Sequence, residues 1–223
     1  ALVYRPQRFV EQLSAAWSAL AVPQAVHMVS VGNHEVTKEL ITWAKETWGC
    51  QVEVLQAGVK CAGVVNGYTS PRQLGADRWA AMVAAYALEQ SAVCVIDCGT
   101  AFTCDVIDSN GRHLGGVIAP GLTMMRNSLL EGTVGIELDD PLKRTTLWGT
   151  DTVSCVQAGG LHASVGLIER IVMQMQQQLE VPVAVVITGG DAESLLPWLS
   201  VKYRYEASLV LQGVARIMAE KVD

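Results

Sequence analysis

The apolar positions along this chain change period several times, and the changes mark its elements. Over residues 7–20, Phe9, Val10, Leu13, Trp17 and Leu20 recur at steps of three and four, the spacing of one helix face. Residues 26–31 form a short apolar run that reads as a buried strand. A second helical pattern covers 35–48, with Leu40, Ile41, Ala44 and Trp48 on one face and Gly49 in the usual C-cap place, and 51–55 is the next strand. After a glycine-bearing loop through Asn66-Gly67-Tyr68, an alanine-dense helix runs over 75–90. Three strands follow: one ending at Asp97, one over 101–107 and one over 114–118. The last two flank Asp108-Ser109-Asn110-Gly111, whose Asn-Gly pair is a hairpin signal. Helices are predicted over 122–131 and 152–180, a buried strand over 183–187, and helices over 192–199 and 207–221.

This alternation predicts an α/β fold in which helices cover the faces of a parallel sheet. Its two halves are unequal. The second half holds a three-stranded meander followed by helix, strand and helix, whereas the first has helix, strand, helix and strand with no meander. If the halves are duplicated domains, 1–90 and 91–223, the first is expected to have its own meander, with a phosphate-binding turn, before Ala1.

Composition narrows the class. A chain of 223 residues that is 50% hydrophobic and 17% charged can bury one or two sizeable cores. A net charge of −6 without any Lys/Arg run argues against nucleic acid as a partner. No stretch of about 18 apolar residues offers a membrane span, and the N-terminus lacks a signal-peptide pattern, so the expected location is the cytoplasm. The six cysteines contain no C-x-x-C pair, and Cys94 and Cys98 on one strand lie about 13 Å apart. Free, buried thiols are therefore expected. His27, His34, His113 and His162 have no ligand spacing and receive no metal or catalytic role.

The candidate chemistry concentrates in two places. In the run 95–107, Gly99 would let a phosphate approach backbone N–H groups, Thr100 and Thr103 could add hydroxyl donors, and Asp97 could hold a cation. The same run is equally readable as a hairpin with a polar turn. In Gly75-Ala76-Asp77-Arg78, a carboxylate and a guanidinium share a helix start, where a base and an anion-orienting fork could work side by side. A helix-start acid beside a surface arginine is the alternative, and Tyr68 could equally be a packing residue.

Taken in register, Asn66-Gly67-Tyr68, Gly75-Ala76-Asp77-Arg78-Trp79, Asp97-Cys98-Gly99-Thr100-Ala101, Gly115-Gly116-Val117-Ile118-Ala119-Pro120-Gly121 and Thr188-Gly189-Gly190-Asp191 resemble the type III pantothenate kinases across nearly the whole chain. The resemblance implies two ribonuclease H-like domains of the acetate and sugar kinase, Hsc70 and actin superfold, with the N-terminal strands of the first domain not included in this sequence. It implies ATP-dependent phosphorylation of pantothenate, the first committed step of coenzyme A synthesis, with magnesium and potassium or ammonium assisting. Asp77 matches the catalytic base. Tyr68, Gly75, Ala76, Asp77, Arg78 and Thr152 match pantothenate contacts, Gly99 and Thr100 the second phosphate loop, Gly189 and Gly190 the adenosine side, and Asp97 the monovalent-cation ligand. A homodimer is expected. The family also opens with a loop of the form Asp-x-Gly-Asn, which no residue here matches, and it includes Bvg accessory factors, so a non-catalytic regulator is the alternative.

Overall fold

The computed structural model describes residues 9–32, 34–132 and 146–220. The first residues of the helix expected over 7–20 and the last of that over 207–221 lie outside this set. Chain order is α1 (Phe9–Trp17), β1 (Val26–Met28), α2 (His34–Trp48), β2 (Val52–Val54), β3 (Lys60–Cys61), β4 (Val64–Val65), α3 (Ala76–Glu89), β5 (Val93–Cys98), β6 (Ala101–Ile107), β7 (His113–Pro120), α4 (Leu122–Gly132), α5 (Thr152–Leu179), β8 (Ala184–Thr188), α6 (Ala192–Leu195), β9 (Arg204–Tyr205) and α7 (Leu209–Glu220).

The main sheet has the order β7-β6-β5-β8-β9. Strands β5, β6 and β7 are antiparallel neighbours, while β8 joins β5, and β9 joins β8, in parallel. A meander followed by parallel strands is the ribonuclease H-like arrangement, and the chain is an α/β protein. Side chains alternate across β5 and build a core on each face. Val93 and Val95 meet α3 and α7 on one side, where Trp79, Ala80 and Met82 are buried with Leu209 and Ile217. Cys94, Ile96 and Cys98 meet α5 and α6 on the other, with Phe102, Ile168 and Val172.

In the first third of the chain, β1 and β2 pair in parallel as the alternation predicts, over Val26↔Val52 to Met28↔Val54. The strand expected over 26–31 ends at Met28, because its partner ends at Val54. Helices α1 and α2 close on Phe9, Leu13, Trp43 and Ala44. Trp43 and Trp48 meet edge to face at 4.7 Å, and Trp43 Nε1 donates to Ser14 Oγ at 2.8 Å. The helix expected over 192–199 breaks after Leu195 into a 3₁₀ turn, Leu196–Trp198, because Pro197 has no N–H to continue it.

Two small features have no counterpart in the sequence reading. The hairpin β3–β4 is tied to the end of α7, where the Glu220 carboxylate accepts from Ala62 N at 2.5 Å and the Cys61 thiol at 2.7 Å. Strand β9 adds an edge to the main sheet. All six cysteines are free, as expected, but only four are buried: Cys50 is half-buried and Cys155 exposed. Cys94 and Cys104 touch across neighbouring strands, Sγ to Sγ at 3.2 Å. Burial pushes the Cys98 thiol up to about 12, aided by the Asp97 and Asp191 charges, which leaves it an inert packing group.

Candidate functional site

Sheet register brings the distant glycine turn beside the acid turn. Asp97 sits opposite Thr103 on β6 and Thr188 on β8, so Gly189 and Gly190 emerge next to Asp97, Gly99 and Thr100. Both parallel strands end here, and the crevice outside such strand ends is where open α/β sheets hold ligands. Two backbone bonds brace the β5–β6 turn: Asp191 N donates to Cys98 O at 2.8 Å and Gly121 N to Thr100 O at 3.1 Å. The Thr100 side chain is exposed. Gly189 has φ +101°, and a Cβ there would lie 2.5 Å from Asp97 Oδ1, so the two turns can approach only at a glycine. A Cβ at Gly190 would meet open space. The hairpin and phosphate-turn readings of residues 95–107 are compatible, because this is a hairpin whose turn lies at the ends of the parallel strands β5 and β8.

Asp97 lies on the sheet face that carries α3. Its carboxylate makes no hydrogen bond or ion pair among the described residues, and burial, followed by the nearby Asp77 charge, pushes it up to about 6. Asp77 occupies the first turn of α3, and its Oδ1 accepts from Arg78 N at 2.7 Å. The Asp77 carboxylate is thus near enough to act on Asp97. Burial also raises Asp191, at the start of α6.

The loop leading into α3 is pinned from within. Buried Asn66 donates through Nδ2 to Gly58 O at 2.9 Å and Pro71 O at 3.2 Å, while its Oδ1 accepts from Tyr68 N at 3.0 Å. Tyr68, Gly75, Ala76, Asp77 and Arg78 are therefore gathered at one end of α3. Arg78 is no surface arginine. It is 7% exposed, Nε and Nη2 donate to the two Asp105 oxygens at 2.8 and 2.6 Å, and Nη1 donates to Tyr68 Oη at 3.0 Å. Asp105 also takes a hydrogen bond from His113 Nε2 at 2.9 Å. Burial alone would raise Asp105, but His113 and Arg78 together hold it below its ordinary range. Burial alone would also lower Arg78, yet Asp105 and Tyr68 hold it above its ordinary value.

Asp105 and His113 carry no role in the sequence reading. The signal was present in Asp105, an acid at the period-2 position shared with Thr103 and Ile107 on the strand face that α3 covers.

Thr152 stands apart. It opens α5 behind an Asp151 N-cap, whose side chain accepts from Ser154 N at 2.9 Å. It lines a pocket with Met125, Leu129 and Val156 on the sheet face opposite α3. Within one chain, the structure does not bring Thr152 to Asp77.

A family model described as type III pantothenate kinase matches residues 4–174. A relative with that name from Nitrosococcus oceani is 36% identical over 210 residues, covering 92% of this chain and 79% of its own. Another from Pseudomonas paraeruginosa is 37% identical over 213 residues, covering 94% and 84%. Among solved structures, a Baf family protein from Campylobacter jejuni superposes with a TM-score of 0.59 over 99% of this chain and 90% of its own, at 21% identity. That likeness shows a shared fold.

Proposed function

This chain belongs to the type III pantothenate kinase family, and we infer that it transfers the γ-phosphoryl group of ATP to the primary hydroxyl of pantothenate, the first step of coenzyme A synthesis. The observation that carries the reading is the pair Asp77 and Asp97, near enough for the Asp77 charge to raise Asp97, with no ion pair to either carboxylate among the described residues. Asp77 takes the hydroxyl proton as the pantothenate oxygen bonds to the γ-phosphorus, and the bond to the β-bridging oxygen breaks to release ADP. Tyr68, Gly75, Ala76 and the two Arg78 N–H groups not spent on Asp105 and Tyr68 orient pantothenate. Gly99 and Thr100 meet the phosphates, and Gly189 and Gly190 leave room on the adenosine side.

Asp97 suits a potassium or ammonium ion, because no counter-charge meets its half-buried carboxylate among the described residues. Such an ion, when bound, offsets negative charge beside the phosphates. The family also implies a divalent metal with ATP. Among the described residues no three acidic, His or Cys side chains cluster as a metal site, so no step is assigned to protein-held magnesium.

Thr152 and Asp77 lie on opposite sheet faces, so in a homodimer the Thr152 contact with pantothenate comes from the second copy. The regulator alternative gains no observation. The test is an acceptor panel in an ADP-release assay. Pantothenate-dependent ADP formation, with little turnover on sugars or short carboxylic acids, supports the reading, and ADP formation indifferent to the acceptor overturns it.

A further inference from the structure

Tyr68, His113, Asp105 and Arg78 form a closed ring of contacts. The Tyr68 and His113 rings stack at 5.9 Å with 14° between planes, His113 donates to Asp105, Asp105 holds Arg78 through two bonds, and Arg78 returns to Tyr68 Oη. The Arg78 Cζ also lies 5.7 Å from the Tyr68 ring centroid. Every link in this ring is polar or aromatic, and His113 is 1% and Asp105 2% exposed. A buried arrangement of this kind is costly to assemble, and its bonds specify one geometry, although His113 Nδ1 has no hydrogen-bond partner among the described residues.

Arg78 stands in the first turn of α3, whereas Asp105 and His113 are on β6 and β7. Arg78 has five N–H donors, of which Asp105 and Tyr68 take three, leaving one each on Nη1 and Nη2. The guanidinium plane is fixed by the Asp105 fork, so the directions of the two remaining donors are fixed as well. The Tyr68 ring also stacks on His113, against which the backbone presses at Gly67. Any side chain at Gly67 would collide with the His113 carbonyl.

We propose that Asp105 and His113 are positioning residues for pantothenate: they set the orientation of Arg78 and Tyr68 without touching the substrate. The proposal rests on the assignment of Arg78 and Tyr68 as pantothenate contacts. Asp105 must be ionised to accept from three donors at once, and His113 must carry its proton on Nε2 to donate. Each therefore has a separable contribution. Asp105 fixes the guanidinium, and His113 fixes both Asp105 and the Tyr68 ring.

The experiment compares Asp105→Asn, His113→Phe and His113→Gln with wild type, measuring KM for pantothenate and for ATP separately, with circular dichroism to establish folding. Asp105→Asn should raise the pantothenate KM at least tenfold and leave that for ATP within twofold. His113→Phe keeps a stacking ring but loses the donor, and should raise the pantothenate KM about threefold. His113→Gln returns an N–H near the Nε2 position and should recover most of that loss, which a purely structural role would not produce. If Asp105→Asn does not fold, the two His113 variants decide the matter. An unchanged pantothenate KM in a folded variant, or pantothenate and ATP constants rising together, overturns the proposal. Arg78→Lys separates this from the underlying assignment. If it leaves the pantothenate KM unchanged, Arg78 itself is misassigned, whereas a rise in Arg78→Lys without one in the ring variants sinks the positioning role alone.

Discussion

Replacing Asp97 by Asn should make the protein more stable while depriving it of cation activation. The carboxylate rises from its ordinary 3.8 to about 6 because burial and Asp77 disfavour its charged form. At roughly 1.4 kcal/mol per tenfold, that shift corresponds to a cost of about 3 kcal/mol for keeping Asp97 ionised. The side chain retains some solvent contact, so about 2 kcal/mol is the expected gain on removing the charge. For a chain of this length, that is about 4–8 °C in Tm. The sign follows from linkage. The folded state binds this proton more tightly than the unfolded state, so stability is highest below pH 3.8, declines as pH rises through the window to about 6, and carries the full penalty above it. Asn, of nearly the same shape, escapes the penalty. Calorimetry in potassium-free buffer should show the Asn variant more stable than wild type at pH 7.5 and nearly equal to it at about pH 3, below the window in which the penalty develops. Added potassium should raise the Tm of wild type, since a ligand bound only by the folded state stabilises it, and should leave the variant unmoved. A variant no more stable at pH 7.5, or equally advantaged at both pH values, would refute the picture of an uncompensated charge.

Asp77→Asn should bind pantothenate as wild type does but turn over roughly 10²–10⁴ times more slowly, which single-turnover kinetics would show. Gly189→Ala would push a methyl group into Asp97 and the Cys98 backbone from a left-handed conformation; a raised KM for ATP and a loss of about 2 kcal/mol in a urea melt are expected. Gly213→Ala would drive a methyl group on α7 into the Ala80 carbonyl of α3, and should cost about 1–3 kcal/mol in the same assay.

The long periodic segments were legible because many side chains repeat the same message. Helices α3 and α5 and strands β5 to β7 fall within a residue or two of their predicted bounds. Two-residue strands such as β3, β4 and β9 show no period, since their pairing is set by neighbours distant in sequence. At the candidate site, the motif Gly75-Ala76-Asp77-Arg78 and the run through Asp97 were visible in the sequence, and the Thr188↔Asp97 pairing explains why Gly189 lies beside Asp97. What the sequence hid was the state of Arg78. Its partner Asp105 lies 27 residues away on another element, and only the packing of α3 on β6 reveals a buried, half-committed fork instead of a solvated one. Thr152 shows the opposite limit, because a motif match says nothing about which sheet face a residue will occupy.

The central claim, that Asp77 and its surroundings move the γ-phosphoryl group of ATP onto pantothenate, is tested most directly by ³¹P NMR of the purified protein with ATP, magnesium, potassium and pantothenate. The account predicts a phosphomonoester resonance of 4′-phosphopantothenate growing in step with ADP, and nearly absent over the same period with Asp77→Asn. ADP accompanied only by inorganic phosphate, or undiminished product with Asp77→Asn, would contradict it.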